Sequence, residues 1–204
     1  MLRILLPLAA LAILLGYPLY NYLFSDRDAT TRPAPYPKQP ANIPYRRFGK
    51  GSISHFAEYL DRPSSVEVRS IRDLCEWLMG CQYVHDQELF DNVDLWQHPV
   101  DFESRRKGDC EDHALWVWRK LHDLNIEAEF VVGKLVLDNG TWGDHTWIVL
   151  ANGKEEHLME TTAKRMDQFM VSSALAQQRY RPYFGIDTHL RSYAYPQPKQ
   201  NSGG

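Results

Sequence analysis

The stretch KGDCEDHALWVWRKLHDLN (residues 107–125), with AEFVVGKLVL (128–137), TWIVLA (146–151) and EEHLMETT (155–162) after it, carries the main structural signal of the chain. Ala114, Leu115, Trp118 and Leu121 recur at helical spacing, which predicts a helix starting near Cys110. Asn125 follows and can end it. The three later segments read as strands. They are separated by the turns Asp138-Asn139-Gly140 and Asn152-Gly153, and Asn-Gly between apolar alternations is a strong hairpin signal. Helices first and an antiparallel meander second predict an α+β architecture.

The second turn makes a sharper prediction. With Asn152-Gly153 as the two loop residues, Ala151 lies opposite Lys154, and His145 falls directly opposite Glu160. Opposed residues share a face, with Cβ atoms about 4.5–5.5 Å apart. Trp147 and Leu158 are then the next pair on that face, while Thr146, Ile148 and Leu150 point the other way. Both faces carry apolar residues, so the sheet is expected to be covered on both sides.

Upstream, Ser65 is a candidate helix cap. Val68, Ile71, Leu74, Cys75 and Leu78 follow at helical spacing, and Gly80 is the expected end. A loop rich in Asp, Asn, Gln and His runs from there to about Glu103. The 204 residues carry a formal net charge of −3. Neither the balance nor the short cluster Arg105-Arg106-Lys107 suggests a nucleic-acid binder.

Three cysteines are present. Cys75 and Cys81, on one helix, would be about 9 Å apart, beyond the disulfide reach of about 7 Å. They are expected to be reduced and buried. Cys110 is different. It follows Gly108, which allows a close approach, and it starts a helix, where free N–H groups and the dipole favour thiolate. Its neighbours Asp109, Glu111 and Asp112 make a poor setting for a merely hydrophobic cysteine. A carboxylate beside an imidazole fixes its tautomer and steadies its protonated form. Cys110, His145 and Glu160 therefore read as nucleophile, base and orienting acid. Gln97 is a candidate donor to an oxyanion, with the Cys110 N–H. The acids beside the thiol disfavour its ionised form. A cation held by Asp109 and Glu111 would relieve this, and hard carboxylate oxygens suit calcium. The competing reading is helix capping, with Asp109 as N-cap and Asp112 three residues on. A zinc set of Cys110, His113 and His145 is a weaker alternative, short of a clear fourth ligand.

Three stretches, DLWQHPVDFESRRKGDCEDHALW (94–116), GDHTWIVL (143–150) and HLMETT (157–162), resemble the bacterial transglutaminase-like cysteine proteinases, within the papain-fold superfamily. The resemblance runs from about Val66 to Tyr193. It implies a papain-like transglutaminase core, with Cys110 as nucleophile and His145 as base. Glu160 stands where the family usually has Asp. Calcium through the acids flanking the cysteine is also implied, at Asp109 and Glu111. The expected activity is peptide-bond hydrolysis through an acyl-enzyme. The alternatives are acyl transfer to an amine and a non-catalytic peptide-binding module on the same fold.

From Ile4 to Phe24 there is no charged side chain. A bilayer-spanning helix needs about 20 apolar residues, and Tyr17, Tyr20 and Tyr22 suit an interface. Residues 1–24 thus read as a transmembrane anchor and 25–44 as a proline-rich tether. Residues 45–195 read as the catalytic domain and 196–204 as a tail. Arg3 on one side, with Asp26 and Asp28 on the other, puts the amino terminus in the cytoplasm and the bulk of the chain outside. For a chain that resembles bacterial proteinases this implies an inner-membrane anchor with the domain in the periplasm. The expected partners are that membrane and a protein or peptide substrate. A cleaved signal peptide would require an A-x-A-like site, and none follows Leu15. The mature protein is expected to keep its first residues. Amino-terminal sequencing checks this, and a new terminus between Gly16 and Thr31 would overturn the anchor.

Overall fold

The computed structural model describes residues 37–197, apart from 53–54, 92–93 and 153–154. The apolar span at 1–24 lies outside the described residues. Among those described, no helix is long and apolar enough to cross a membrane.

The fold is mixed α and β around an antiparallel sheet. Its helices are α1 (Ile71–Met79), α2 (Asp86–Phe90), α3 (Pro99–Arg105), α4 (Cys110–Asp123) and α5 (Ser173–Arg179). The main sheet has seven strands in the order β1-β9-β8-β4-β5-β6-β7. These are β1 (Gln39–Pro40), β4 (Ala128–Val136), β5 (Trp142–Asn152), β6 (Glu155–Met159), β7 (Met170–Val171), β8 (Tyr180–Asp187) and β9 (Ser192–Ala194). Two short strands, β2 (Gln82–Tyr83) and β3 (Lys107–Gly108), pair in parallel beside it.

Helix α4 starts at Cys110 as expected, and Asn125 beyond its end is left-handed at φ 55°. Its apolar stripe understates its burial, because every residue from Glu111 to Leu121 is buried. The Trp77 ring of α1 stacks on Trp116 at 3.9 Å. Phe56 meets Trp118 at 5.7 Å and Phe130 of β4 at 5.4 Å, joining the helix to the sheet. Charges inside such a helix must be paired. Lys120 Nζ lies 2.9 Å from Glu103 of α3, with both side chains about 2% exposed. Ser64 Oγ and Trp116 Nε1 also donate to that carboxylate.

The β5–β6 hairpin departs from the expected register. Asn152 is a strand residue opposite Glu155, so Val149 faces Leu158 and Ile148 faces Met159. The alternative would set Val149 against Glu156 and Ile148 against His157. The observed register matches apolar with apolar on both faces, which decides it. The shift is two residues, so each side chain keeps its face. Trp147, Val149 and Leu158 form one core with Val131, Ala176 and Tyr180. Thr146, Ile148 and Leu150 are buried on the other side, where their β4 partners include Phe130. The sheet is covered on both faces.

Other differences are local. The α1 cap is Ser70, accepting from the Asp73 N–H at 3.1 Å, and not Ser65. The stretch read as a loop up to Glu103 contains α2 and α3. Pro99 opens α3 at its first position, and His98 Nδ1 accepts from the Val100 N–H. β6 stops at Met159, short of Thr162. α5, β8 and β9 were not anticipated. β1 falls within the proline-rich stretch and pairs with β9, and Lys38 beside it bridges Glu129 and Glu156. Cys75 and Cys81 are buried thiols.

Removing one partner of a buried ion pair leaves the other uncompensated, at about 3–5 kcal/mol. Lys120→Met should lower stability by about that amount in urea unfolding. Adding Glu103→Gln should recover much of the loss. A single variant as stable as the parent would show that the pair is not needed.

Candidate active site

The site is built where α4 begins. A Cβ at Gly108 would collide with the Asp112 carboxylate, so only glycine lets the incoming chain approach the helix this closely. Asp112 is fully buried and accepts from the Gln97 N–H at 2.7 Å and from Gln97 Nε2. Gln97 Nε2 also donates to the Lys107 carbonyl, and Arg105 donates to Gln97 Oε1. Gln97 is therefore not the expected oxyanion donor. Its amide hydrogens fasten the preceding loop to the helix start. Trp96, next to it, donates from Nε1 to Asp94 at 3.0 Å.

Cys110 opens on a cavity of about 550 Å³ that is also lined by Asp109, Glu111, His145, Thr146, Tyr83 and Trp96. The helix start alone would favour thiolate, but burial, and then the charges of Glu111 and Asp109, push the thiol well above its ordinary range. The thiol donates to Glu111 Oε2 at 3.2 Å. No direct hydrogen bond joins it to His145. Such contacts are often long before substrate binds.

His145 Nε2 and Glu160 Oε2 are 2.8 Å apart, which leaves Nδ1 to take a proton from a nucleophile. The β5–β6 register does not set this pair directly opposite, since Glu160 lies just past β6. It lies on His145's side because the two-residue shift preserves faces. Tyr180 donates to Oε2 at 2.9 Å, and Thr162 donates to Oε1 from both N and Oγ1. Burial by itself would push Glu160 up. The charge and hydrogen bond of His145, with the two hydrogen bonds from Thr162, outweigh it and hold the carboxyl at about 2.

Asp86, Asp109 and Glu111 bring ligand atoms within 4.8 Å of one another. Asp86 was not expected here, and nothing in its linear distance from Cys110 signals it. Asp86 Oδ1 and Asp109 Oδ1 are buried with no hydrogen-bond partner. Asp109 occupies the N-cap position but makes no side-chain capping bond. Burial raises Asp86 to about 6, and it raises Asp109 and Glu111 as well, Glu111 further through the charge of Asp109. Three crowded carboxylates, two of them with an orphaned oxygen, fit a hard divalent cation such as calcium better than a cap. The zinc set does not form. His113 Nδ1 is bonded to the Asp109 carbonyl at 2.7 Å, and its Nε2 faces Lys164.

No family model matches this chain, and no curated protein matches it. Solved structures of Legionella pneumophila LapG do. The calcium-bound form is 15% identical, with a TM-score of 0.46 over 72% of this chain and 82% of that one. The EGTA-treated form is 14% identical, with a TM-score of 0.48 over 79% and 90%. A further LapG structure is 14% identical, with a TM-score of 0.47 over 80% and 93%. Likeness at these values leaves the chemistry to be read from this chain's own residues.

The depressed Glu160 carboxyl has a signed consequence. Its folded-state value lies below the ordinary 4.5, so the unfolded chain takes up its proton first. Its contribution to stability is therefore present above about pH 4.5 and lost as pH falls toward 2. Melting temperatures across that window should fall less steeply for Glu160→Gln than for the parent. Parallel curves would show that Glu160 is not held ionised by its neighbours.

Proposed function

We propose that this chain is a transglutaminase-like cysteine peptidase on a papain-like core. Its domain stands on the periplasmic side of a bacterial inner membrane, anchored by residues 1–24. The carrying observation is that the helix-start thiol of Cys110 and His145 line one cavity, with His145 bonded behind it to Glu160. A thiol, an imidazole and a carboxylate are the three groups that acyl-enzyme chemistry requires.

In this reading His145 Nδ1 takes the Cys110 proton, and Sγ attacks the peptide carbonyl. The C–S bond forms as the carbonyl π pair moves to oxygen. When the carbonyl re-forms, the C–N bond breaks and the imidazolium protonates the departing amine. Water, deprotonated by His145, then attacks the thioester and returns the thiol. Glu160 keeps the ring oriented and steadies its charge.

Asp86, Asp109 and Glu111 would hold calcium. Bound there, the ion would supply positive charge against the carboxylates that hold the thiol protonated. The buried, unpartnered oxygens of Asp86 and Asp109 support this assignment.

Cys110→Ala should abolish peptide hydrolysis, and His145→Ala should nearly do so. Glu160→Gln should keep a fraction, and adding Cys110→Ala to either should cost little more. Calcium should raise the melting temperature by mass action and quicken alkylation of Cys110 by iodoacetamide. Asp86→Ala and Asp109→Ala should each remove both effects. A melting temperature indifferent to millimolar calcium would overturn the metal site. Alkylation no faster than that of an exposed ordinary thiol, and independent of His145, would overturn the peptidase.

A further inference from the structure

Attack on a carbonyl needs a donor for the oxygen that becomes charged, and Gln97 has no hydrogen to spare for it. The cavity wall offers another group. Parallel pairing of β2 with β3 sets Tyr83 beside Gly108, and the Val84 N–H donates to the Gly108 carbonyl at 3.0 Å. Cys110 is two residues further on. The Tyr83 ring lies against the first turn of α4, stacked on His113 with centroids 6.2 Å apart. His113 is tied to the Asp109 carbonyl at the head of that turn. His85 meets the ring edge-on, with centroids 5.1 Å apart.

Two imidazoles therefore fix the phenol at the helix start. It is nevertheless 41% exposed and borders the same cavity as Cys110 and His145. An aromatic ring left this open beside a nucleophile serves no core. Its hydroxyl makes no hydrogen bond to any described residue, while the indole N–H of Trp96 on the same wall is already committed to Asp94. Burial, and then the charges of Cys110 and Asp109, raise the phenol above its ordinary range, so it keeps its proton at neutral pH.

We infer that Tyr83 is the side-chain oxyanion donor of this site, acting with the Cys110 backbone N–H. This rests on the reading of Cys110 as nucleophile. As Sγ bonds to the acyl carbon and the π pair moves to oxygen, the Tyr83 O–H donates a hydrogen bond to that oxygen and keeps its proton. When the carbonyl re-forms and the leaving group departs, the bond weakens again. Because the interaction is strongest in the tetrahedral state, it acts on the chemical step and not on thiol ionisation.

Two reagents separate those roles. Acylation by p-nitrophenyl acetate passes through an oxyanion, whereas alkylation by iodoacetamide is a displacement at carbon and does not. With the full chain in millimolar calcium, Tyr83→Phe should slow ester turnover by about 10²-fold, with alkylation of Cys110 unchanged within about twofold. Unchanged ester turnover in Tyr83→Phe, with Cys110→Ala inactive, would overturn the assignment of Tyr83 alone. Equal losses in both reactions would overturn it in favour of a structural role. Ester turnover that survives Cys110→Ala would overturn the nucleophile, and Tyr83 with it.

Discussion

The burial of α4 on every side is the constraint from which the rest of the structure follows. A helix with this many charged residues is not a natural core element, since each buried charge needs a partner. Lys120 finds Glu103 on α3, and Arg119 finds Asp123 together with the Tyr59 and Arg62 carbonyls. Asp112 finds the backbone and amide of Gln97. Each pairing draws a different upstream segment onto the helix, so the charges organise what the apolar residues fill.

At the amino-terminal end the pairing fails, and there the site lies. Asp86, Asp109 and Glu111 crowd together, and Oδ1 of Asp86 and Oδ1 of Asp109 have no hydrogen-bond partner. Burial, and then the charges of Glu111 and Asp109, push the thiol beside them well above its ordinary range. A stable fold tolerates such a conflict where a ligand resolves it. In the proposed reading, nucleophile activation and cation binding are tied together within one turn of helix.

The opposite wall is over-determined by comparison. Glu160 is held by Thr162 in its own loop and by Tyr180 from β8 as well as by His145. With both carboxylate oxygens engaged, the imidazole has one geometry available, and the longer reach of Glu relative to Asp is absorbed by these bonds. At the β4–β8 irregularity Gly133, opposite His145, leaves no room for a side chain because the Trp147 ring and the Arg181 carbonyl fill it.

Local rules written in the chain were enough for the start of α4 at Cys110, the end of α1 at Gly80 and the three central strands. Each rests on spacing, capping or turn chemistry within a few residues. The faces of β5 and β6 were also legible, because strand alternation survives a register error of two. The register itself was not: two turns fit Asn152-Gly153-Lys154-Glu155, and the choice depends on which apolar side chains meet across the strands and in the layers on either side. Helix α3 carried a readable signal in His98-Pro99 that the polar composition around it obscured. Asp86, Tyr83 and the occupied amide of Gln97 had no local signal at all. Their roles arise because a parallel pair, β2 with β3, and a buried carboxylate, Asp112, bring distant segments to one helix end. Residue types alone set which chemistry this chain can offer, since a thiol, an imidazole and a carboxylate are legible in the linear order. Which carboxylates crowd the thiol and which donor stays free is settled by the packed fold, because charge and hydrogen-bond satisfaction depend on neighbours the linear chain does not order.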